Sequence, residues 1–122
     1  MYCLLDVHRR LLIRTHYDFV LRKIVRNKFH LELIIPHTME KSYRGEYEAG
    51  ITNWFVNHLR KEDILFDIGA CFGYFSVLAH EIFPSIKIHL FEPTWHNLLY
   101  LKKNQQRQNQ RTHNWIVNSK YA

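Results

Sequence analysis

Two acidic residues stand at or next to the ends of two apolar segments. Asp67 lies near the end of Ile64–Ile68, and Glu92 follows Ile86–Phe91. Between them, Gly69 and Gly73 complete a D-x-G-x-x-x-G turn ahead of an apolar run with helical spacing. Short apolar runs bounded by turn residues predict buried strands of a parallel sheet. Because such sheets bind ligands at the carboxyl ends of their strands, we expect both carboxylates at one ligand-binding edge.

The charge of this turn discriminates between nucleoside cofactors. A dinucleotide turn brings a pyrophosphate against backbone N–H groups at the start of a helix, where an adjacent carboxylate repels it. Here Asp67 is acidic, and the second glycine of the G-x-G-x-x-G pattern is absent. S-adenosylmethionine carries an ammonium, a carboxylate and a sulfonium but no phosphate. The charges therefore favour S-adenosylmethionine over NAD.

The run Asp67-Ile-Gly-Ala-Cys-Phe-Gly-Tyr-Phe-Ser76 resembles motif I of the class I S-adenosylmethionine-dependent methyltransferases. Extended from Gly45-Glu-Tyr-Glu48 to Phe91-Glu-Pro93, it resembles the FkbM-type branch, and the resemblance runs from about Phe29 to the last residue. It implies O-methylation of a small-molecule or glycan acceptor. It also implies a cofactor site of six residues: Asp67, Gly69, Ala70, Gly73, Tyr74 and Glu92.

Within that site, the resemblance places Asp67, Gly69 and Gly73 around the methionine part of the cofactor and Glu92 on the ribose hydroxyls. Cys71 departs from the Asn common at its position in the family, which affects side-chain contacts only. An alternative interpretation makes the two acids strand-end polar residues and helix caps. No residue can be named as a catalytic base.

The order of segments predicts an α/β fold with a Rossmann-like, doubly wound parallel sheet of the methyltransferase type. Its strands are predicted at 64–68, 86–91 and 115–118, in the spatial order third, second, first, with a helix after each of the first two. The strand 64–68 is apolar on both faces, so it is predicted to lie inside the sheet, with helices on each side.

An N-terminal helical and strand extension is predicted to precede this sheet. Residues 3–26 are predicted as a basic helix, 29–35 as a strand, 37–45 as a polar loop and 46–60 as a second helix. We divide the chain into an extension, residues 1–45, and a partial S-adenosylmethionine-binding domain, residues 46–122.

Methyltransferases of this type continue with further strands, whereas this chain stops at Ala122, just after the third. The resemblance therefore implies the cofactor-binding half of an enzyme, truncated after the third strand. The alternative is a non-catalytic remnant that acts as a nucleoside-binding or protein-interaction module. In either case strand 64–68 becomes an open edge, which invites self-association.

Composition and charge limit the classes of protein to which the chain can belong. The 122 residues are 47% apolar and 23% charged, as in ordinary globular proteins, and carry a formal charge of +6. We interpret the basic N-terminal residues as a solvated helix face, so nucleic acid is an unlikely partner and an RNA-modifying enzyme ranks last. Two isolated cysteines and the lack of a targeting or transmembrane segment predict a cytoplasmic protein. Nine scattered histidines show no metal-ligand spacing.

Overall fold

The computed structural model describes residues 18–109 and 114–119. Within these ranges the chain forms two sheets with helices between them. The strands are β1 (Asp18–Val25), β2 (Phe29–Pro36), β3 (Ile64–Ile68), β4 (Lys87–Phe91) and β5 (Trp115–Asn118). The helices are α1 (Glu40–Arg44), α2 (Ala49–His58), α3 (Tyr74–Ile82) and α4 (Trp95–Asn109), and a 3-10 turn spans His37–Met39.

The second sheet has the predicted topology. Its order is β3-β4-β5, and both pairings are parallel. Helix α3 connects β3 to β4, and α4 connects β4 to β5. The fold is therefore mixed α/β with a three-stranded parallel sheet, consistent with a Rossmann-like arrangement. The predicted strand bounds agree with the structure to within one residue.

The N-terminal segment corrects the predicted helix 3–26. Residues 3–17 lie outside the described residues, but residues 18–25 form β1, which pairs antiparallel with β2. Leu21 and Val25 are buried on one face of β1, with period-two alternation. Arg26 and Asn27, both at φ 52°, make the left-handed turn that a tight hairpin requires. Leucines and arginines favour a helix locally, and pairing with β2 overrides that preference.

The predicted polar loop 37–45 is also wrong, because a 3-10 turn and the short helix α1 occupy it. An ion pair between Arg44 and Glu40, one turn apart, supports α1 on its exposed side. Tyr43 is almost completely buried on the other side, stacked on Tyr47 with ring centroids 4.2 Å apart. The second predicted helix is confirmed over the shorter span of α2.

The hairpin covers the helices from the side opposite the parallel sheet. Strand β2 packs against both α3 and α4. Helix α3 is consequently buried almost all round from Tyr74 to His80, with Phe75 only partly exposed. The fully buried Asn104 of α4 joins the layers: its side chain exchanges two hydrogen bonds with the backbone of Ile34 and donates a third to the carbonyl of Phe72.

Strand β3 differs from its predicted position inside the sheet. It lies at the edge, with β4 as its neighbour among the described residues. Ile64, Phe66 and Ile68 point to the face away from the helices, and Ile68 is 80% exposed. A strand that is apolar on both faces is expected to be buried on both faces. The described residues cover only one face of β3. The sheet consequently presents an open apolar face and an open edge.

The longest helix in the described part of the chain, α4, has 15 residues, whereas about 20 apolar residues are needed to span a bilayer. No helix in the described ranges is long and apolar enough to cross a membrane.

Two glycine-to-alanine substitutions test the strained turn before α3, and a third, in α2, serves as the comparison. Gly73 has φ 94°, and an added Cβ would lie 3.0 Å from Leu101 Cδ1. We expect Gly73→Ala to lower the free energy of unfolding by about 2–3 kcal/mol, and Gly69→Ala, strained but unhindered at φ 74°, by about 1–2 kcal/mol. Gly50 lies in α2 with open space around it, so Gly50→Ala should stabilise by about 0.5–1 kcal/mol. Urea denaturation measures all three, and equal effects at the three sites would contradict the assigned backbone.

Candidate functional site

The turn between β3 and α3 is fixed by the end of the neighbouring strand. The backbone N–H groups of Gly69 and Ala70 both donate to the carbonyl of Phe91, at 2.8 and 3.0 Å. Gly69, Cys71 and Gly73 have φ values of 74°, 53° and 94°. Alternating left-handed residues turn the chain tightly enough to bring the start of α3 beside the end of β4. Cys71 adopts this conformation without the freedom of glycine.

Glu92 is 5% exposed and lies directly after β4. One carboxylate oxygen accepts from the backbone N–H of Cys71 at 2.8 Å, and the other accepts from that of Thr94 at 2.7 Å. Glu92 therefore connects the turn to the beginning of α4, which starts directly after Thr94. This is the capping role of the alternative interpretation. Each oxygen has a second lone pair, so two acceptor positions remain once the bonds within the described residues are made.

Asp67 lies on the helix-facing side of β3. Its Oδ2 atom accepts a hydrogen bond from the Ser76 hydroxyl in α3 at 2.6 Å. Burial raises the pKa of Asp67, the Ser76 hydrogen bonds lower it, and the nearby charge of Glu92 raises it again. The direction of the net shift is upward. The charge of Glu92 is the smallest of these contributions, and it acts on Asp67 through a partly buried region.

The strand register accounts for the interaction between the two carboxylates. Asp67 pairs in register with Leu90, and Glu92 follows two residues later, so period-two alternation gives both acids the same side of the sheet. A cavity of about 340 Å³ opens at this edge, within the usual size range of small-molecule sites. It is lined by the ends of all three parallel strands: Ile68, Gly69, Phe91, Glu92, Pro93, Asn118 and Ser119.

The six predicted site residues divide into three groups in the structure. Gly69 and Glu92 line the cavity at the strand ends. Asp67 and the buried Ala70 lie in or beside the turn and do not line the cavity. Gly73 faces Leu101 and Trp115, while Tyr74 lines a separate cavity between the hairpin and α2.

Asn118 and Ser119, which were not among the predicted site residues, contribute to the cavity from the end of β5. Their position at the carboxyl end of a predicted parallel strand was the available signal. Asn118 donates its side-chain N–H groups to the carbonyls of Leu90 and Ile116, which holds it near the mouth of the cavity.

Cys71 is part of the turn but is not activated. Burial raises the pKa of its thiol, and the neighbouring carboxylates Glu92 and Asp67 raise it further, against a hydrogen bond from the Tyr43 hydroxyl. A thiol with a raised pKa is a weak nucleophile at neutral pH. Residues 18–109 and 114–119 contain no cluster of histidine, cysteine, aspartate or glutamate able to hold a metal ion. The chemical resources of the site are its carboxylates and backbone groups.

No protein-family model and no curated protein matches the chain. A solved structure of a precorrin-6y C5,15-methyltransferase from Geobacter metallireducens aligns with a TM-score of 0.48 and 21% sequence identity. The alignment covers 57% of this chain and 37% of that one, so this chain spans little more than a third of that protein's length. The fold class described above rests on this chain's own strand order and register.

Asp67→Asn tests the electrostatics of the site. Because the folded-state pKa of Asp67 is raised above its unfolded value, its protonated form is favoured on folding. Its contribution to stability is present below the unfolded pKa and is lost as pH rises through the folded pKa. We therefore expect Asp67→Asn to melt at a higher temperature than the wild type at about pH 7, with the difference vanishing near pH 3.

Thermal melts followed by circular dichroism across this pH range make the measurement. Glu62→Gln removes an exposed carboxylate just before β3 and should leave the melting temperature unchanged at every pH. A lower melting temperature for Asp67→Asn near neutral pH would show instead that the fold requires the charged carboxylate.

Proposed function

We propose that this chain holds the cofactor-binding part of an S-adenosylmethionine-dependent methyltransferase. The observation that carries the proposal is the convergence of Asp67 and Glu92 on one side of a glycine turn, at the carboxyl ends of two adjacent parallel strands. The resemblance of the motif residues to the FkbM-type branch supports oxygen as the methyl acceptor.

The charges of the site support a cationic cofactor. Two carboxylates in a partly buried region gain from a bound cation, and S-adenosylmethionine supplies both an ammonium and a sulfonium. A pyrophosphate placed at the same turn would meet like charge. The two unused acceptor positions of Glu92 match the two adjacent hydroxyls of a ribose, with Glu92 lining the 340 Å³ cavity.

Bonds already made by the site residues prepare them for this role. Ser76 orients Asp67, and the backbone N–H groups of Cys71 and Thr94 orient Glu92 before any ligand arrives. Methyl transfer proceeds by in-line attack of an acceptor on the sulfonium methyl, so positioning both reactants supplies much of the rate. This chain's residues would hold the donor in place, and no described residue is assigned as a base.

Calorimetric titration with S-adenosylhomocysteine tests the proposal. The wild-type chain should bind, with a Kd weaker than about 1 μM, because the described strands offer few charge-assisted bonds. Asp67→Asn should weaken binding about ten-fold or more while retaining the fold, and Glu62→Gln should bind like the wild type. Absence of heat for the wild type, or equal affinity for Asp67→Asn, would exclude the proposed cofactor role.

A second candidate function is supported by the open strand β3. We propose that a second copy of the chain pairs with this edge. The outward side chains of β3 are Ile64, Phe66 and Ile68, so a two-fold symmetric antiparallel pairing would place apolar side chains of the two copies next to one another. None of these three side chains is charged, so charge repulsion does not oppose pairing with an identical strand. This interaction role does not require catalysis.

Ile64→Lys, compared with Ile51→Lys, tests the pairing. The two isoleucines are 54% and 55% exposed, one on the edge strand and the other on α2. We expect the wild type and Ile51→Lys to show concentration-dependent association in sedimentation velocity, and Ile64→Lys to remain monomeric because an edge lysine disfavours strand pairing. A monomeric wild type, or identical behaviour of both variants, would contradict the interaction.

A further inference from the structure

A second cavity, of about 430 Å³, lies between the hairpin and the segment that leads into α2. Three basic side chains line it, Lys23, Arg26 and Arg44, against a single acidic residue, Glu46. Its volume lies in the usual range for small-molecule sites.

Two of these cations have no ion-pair partner among the described residues. Lys23 Nζ donates to the backbone carbonyls of Tyr43 and Gly45, so bonds to described residues use two of its three donors. Burial lowers the pKa of Lys23, and the charge of Glu46, at longer range, opposes that shift. Arg26 donates to the neutral amides of Asn53 and Asn57 in α2 at 3.4 and 3.3 Å, so its charge is held in place but not neutralised. Arg44 differs, because it is paired with Glu40.

Two tyrosines connect this cavity to the candidate cofactor site. Tyr47 and Tyr74 line the cavity, with ring centroids 4.8 Å apart, and Lys23 Nζ lies 5.6 Å from the Tyr74 ring. Tyr74 is the first residue of α3, directly after the glycine turn. The pKa of Tyr47 is raised, first by burial, and the charge of Asp67 is among the smaller contributions. The cavity is therefore adjacent to the acidic turn but opposite in charge.

The lining also contains an unused polar group. The Tyr74 hydroxyl is buried and has no hydrogen bond of good geometry within the described residues. Burial raises the pKa of Tyr74, and the neighbouring Thr52 hydroxyl, which donates to the carbonyl of Tyr47, lowers it. Arg26 is exposed and Lys23 is partly buried, so both charges can be reached by an anion from solvent, and the buried Tyr74 hydroxyl lies in the same lining.

We propose that this cavity binds a small organic anion, with a phosphate or carboxylate held by Lys23 and Arg26 and an apolar or aromatic body packed against Tyr47 and Tyr74. A role for this cavity as the subsite of the methyl acceptor rests on the proposed methyltransferase function. In that role the cavity would select acceptors that carry a negative charge. The opposite charges of the two neighbouring sites keep the cationic donor and the anionic acceptor in their own places.

Calorimetric titration of the full chain without any cofactor tests the cavity. Phenyl phosphate and benzoate represent the two anionic groups, and benzyl alcohol is the neutral analogue. We expect one or both anions to bind and benzyl alcohol to give no measurable heat. Arg26→Gln should weaken anion binding about ten-fold or more, since a charge-assisted bond is lost. Lys61→Gln removes an exposed charge away from the cavity and should stay within about two-fold of the wild type.

Amide chemical shifts of the wild type provide a measurement that needs no variant. Phenyl phosphate should perturb Tyr47 and Tyr74 and leave the resonances of β5 unchanged. Equal binding of benzyl alcohol, wild-type affinity for Arg26→Gln, or tighter binding of single-stranded RNA at the same residues would overturn the proposal. Asp67→Asn should bind phenyl phosphate normally, so loss of cofactor binding and loss of anion binding are separate outcomes.

Discussion

The carboxylate of Glu92 is the contact on which the site depends. Placing a carboxylate at 5% exposure is costly unless its oxygens are hydrogen-bonded, and here two backbone N–H groups from different segments supply the bonds. The same two bonds hold the turn after β3 against the start of α4. Glu92 therefore holds together the end of β4, the glycine turn and the wall of the strand-end cavity. Asp67 lies on the neighbouring strand, on the same side of the sheet.

The layers formed by the described residues differ in how far they are shielded from solvent. The hairpin β1–β2 and the parallel sheet enclose α3 and α4, which explains why α3 has almost no solvent-facing side. Beyond the sheet, the outward side chains of β3 meet no described layer. The side that carries Asp67 and Glu92 is thus acidic and tightly hydrogen-bonded. The cavity on the hairpin side is lined by Lys23 and Arg26, which have no ion-pair partner among the described residues, and by Arg44, which is paired with Glu40.

Much of the parallel sheet could be predicted from sequence, because β3 and β4 are apolar runs between turn residues and β5 follows a helix of the expected length. The order of the strands and the end of α3 before Pro84 follow from the same signals. The hairpin could not be predicted, since Leu21 and Arg22 favour a helix locally and Arg26-Asn27 is an unusual turn pair. Tyr74 was assigned from its motif position, but the fold directs its ring toward the hairpin.

The buried position of Asn104 could not be predicted from the sequence, because a polar residue in a helix is expected at the surface. Its amide bonds both backbone groups of Ile34 on the side of β2 that faces away from β1, as one residue of a third strand would. At that point β2 cannot pair with a further strand, because its backbone groups are already bonded to Asn104. Within the described residues the open edge of β3 has no comparable side-chain bonds, so a strand from another chain would meet less competition at β3 than at this part of β2.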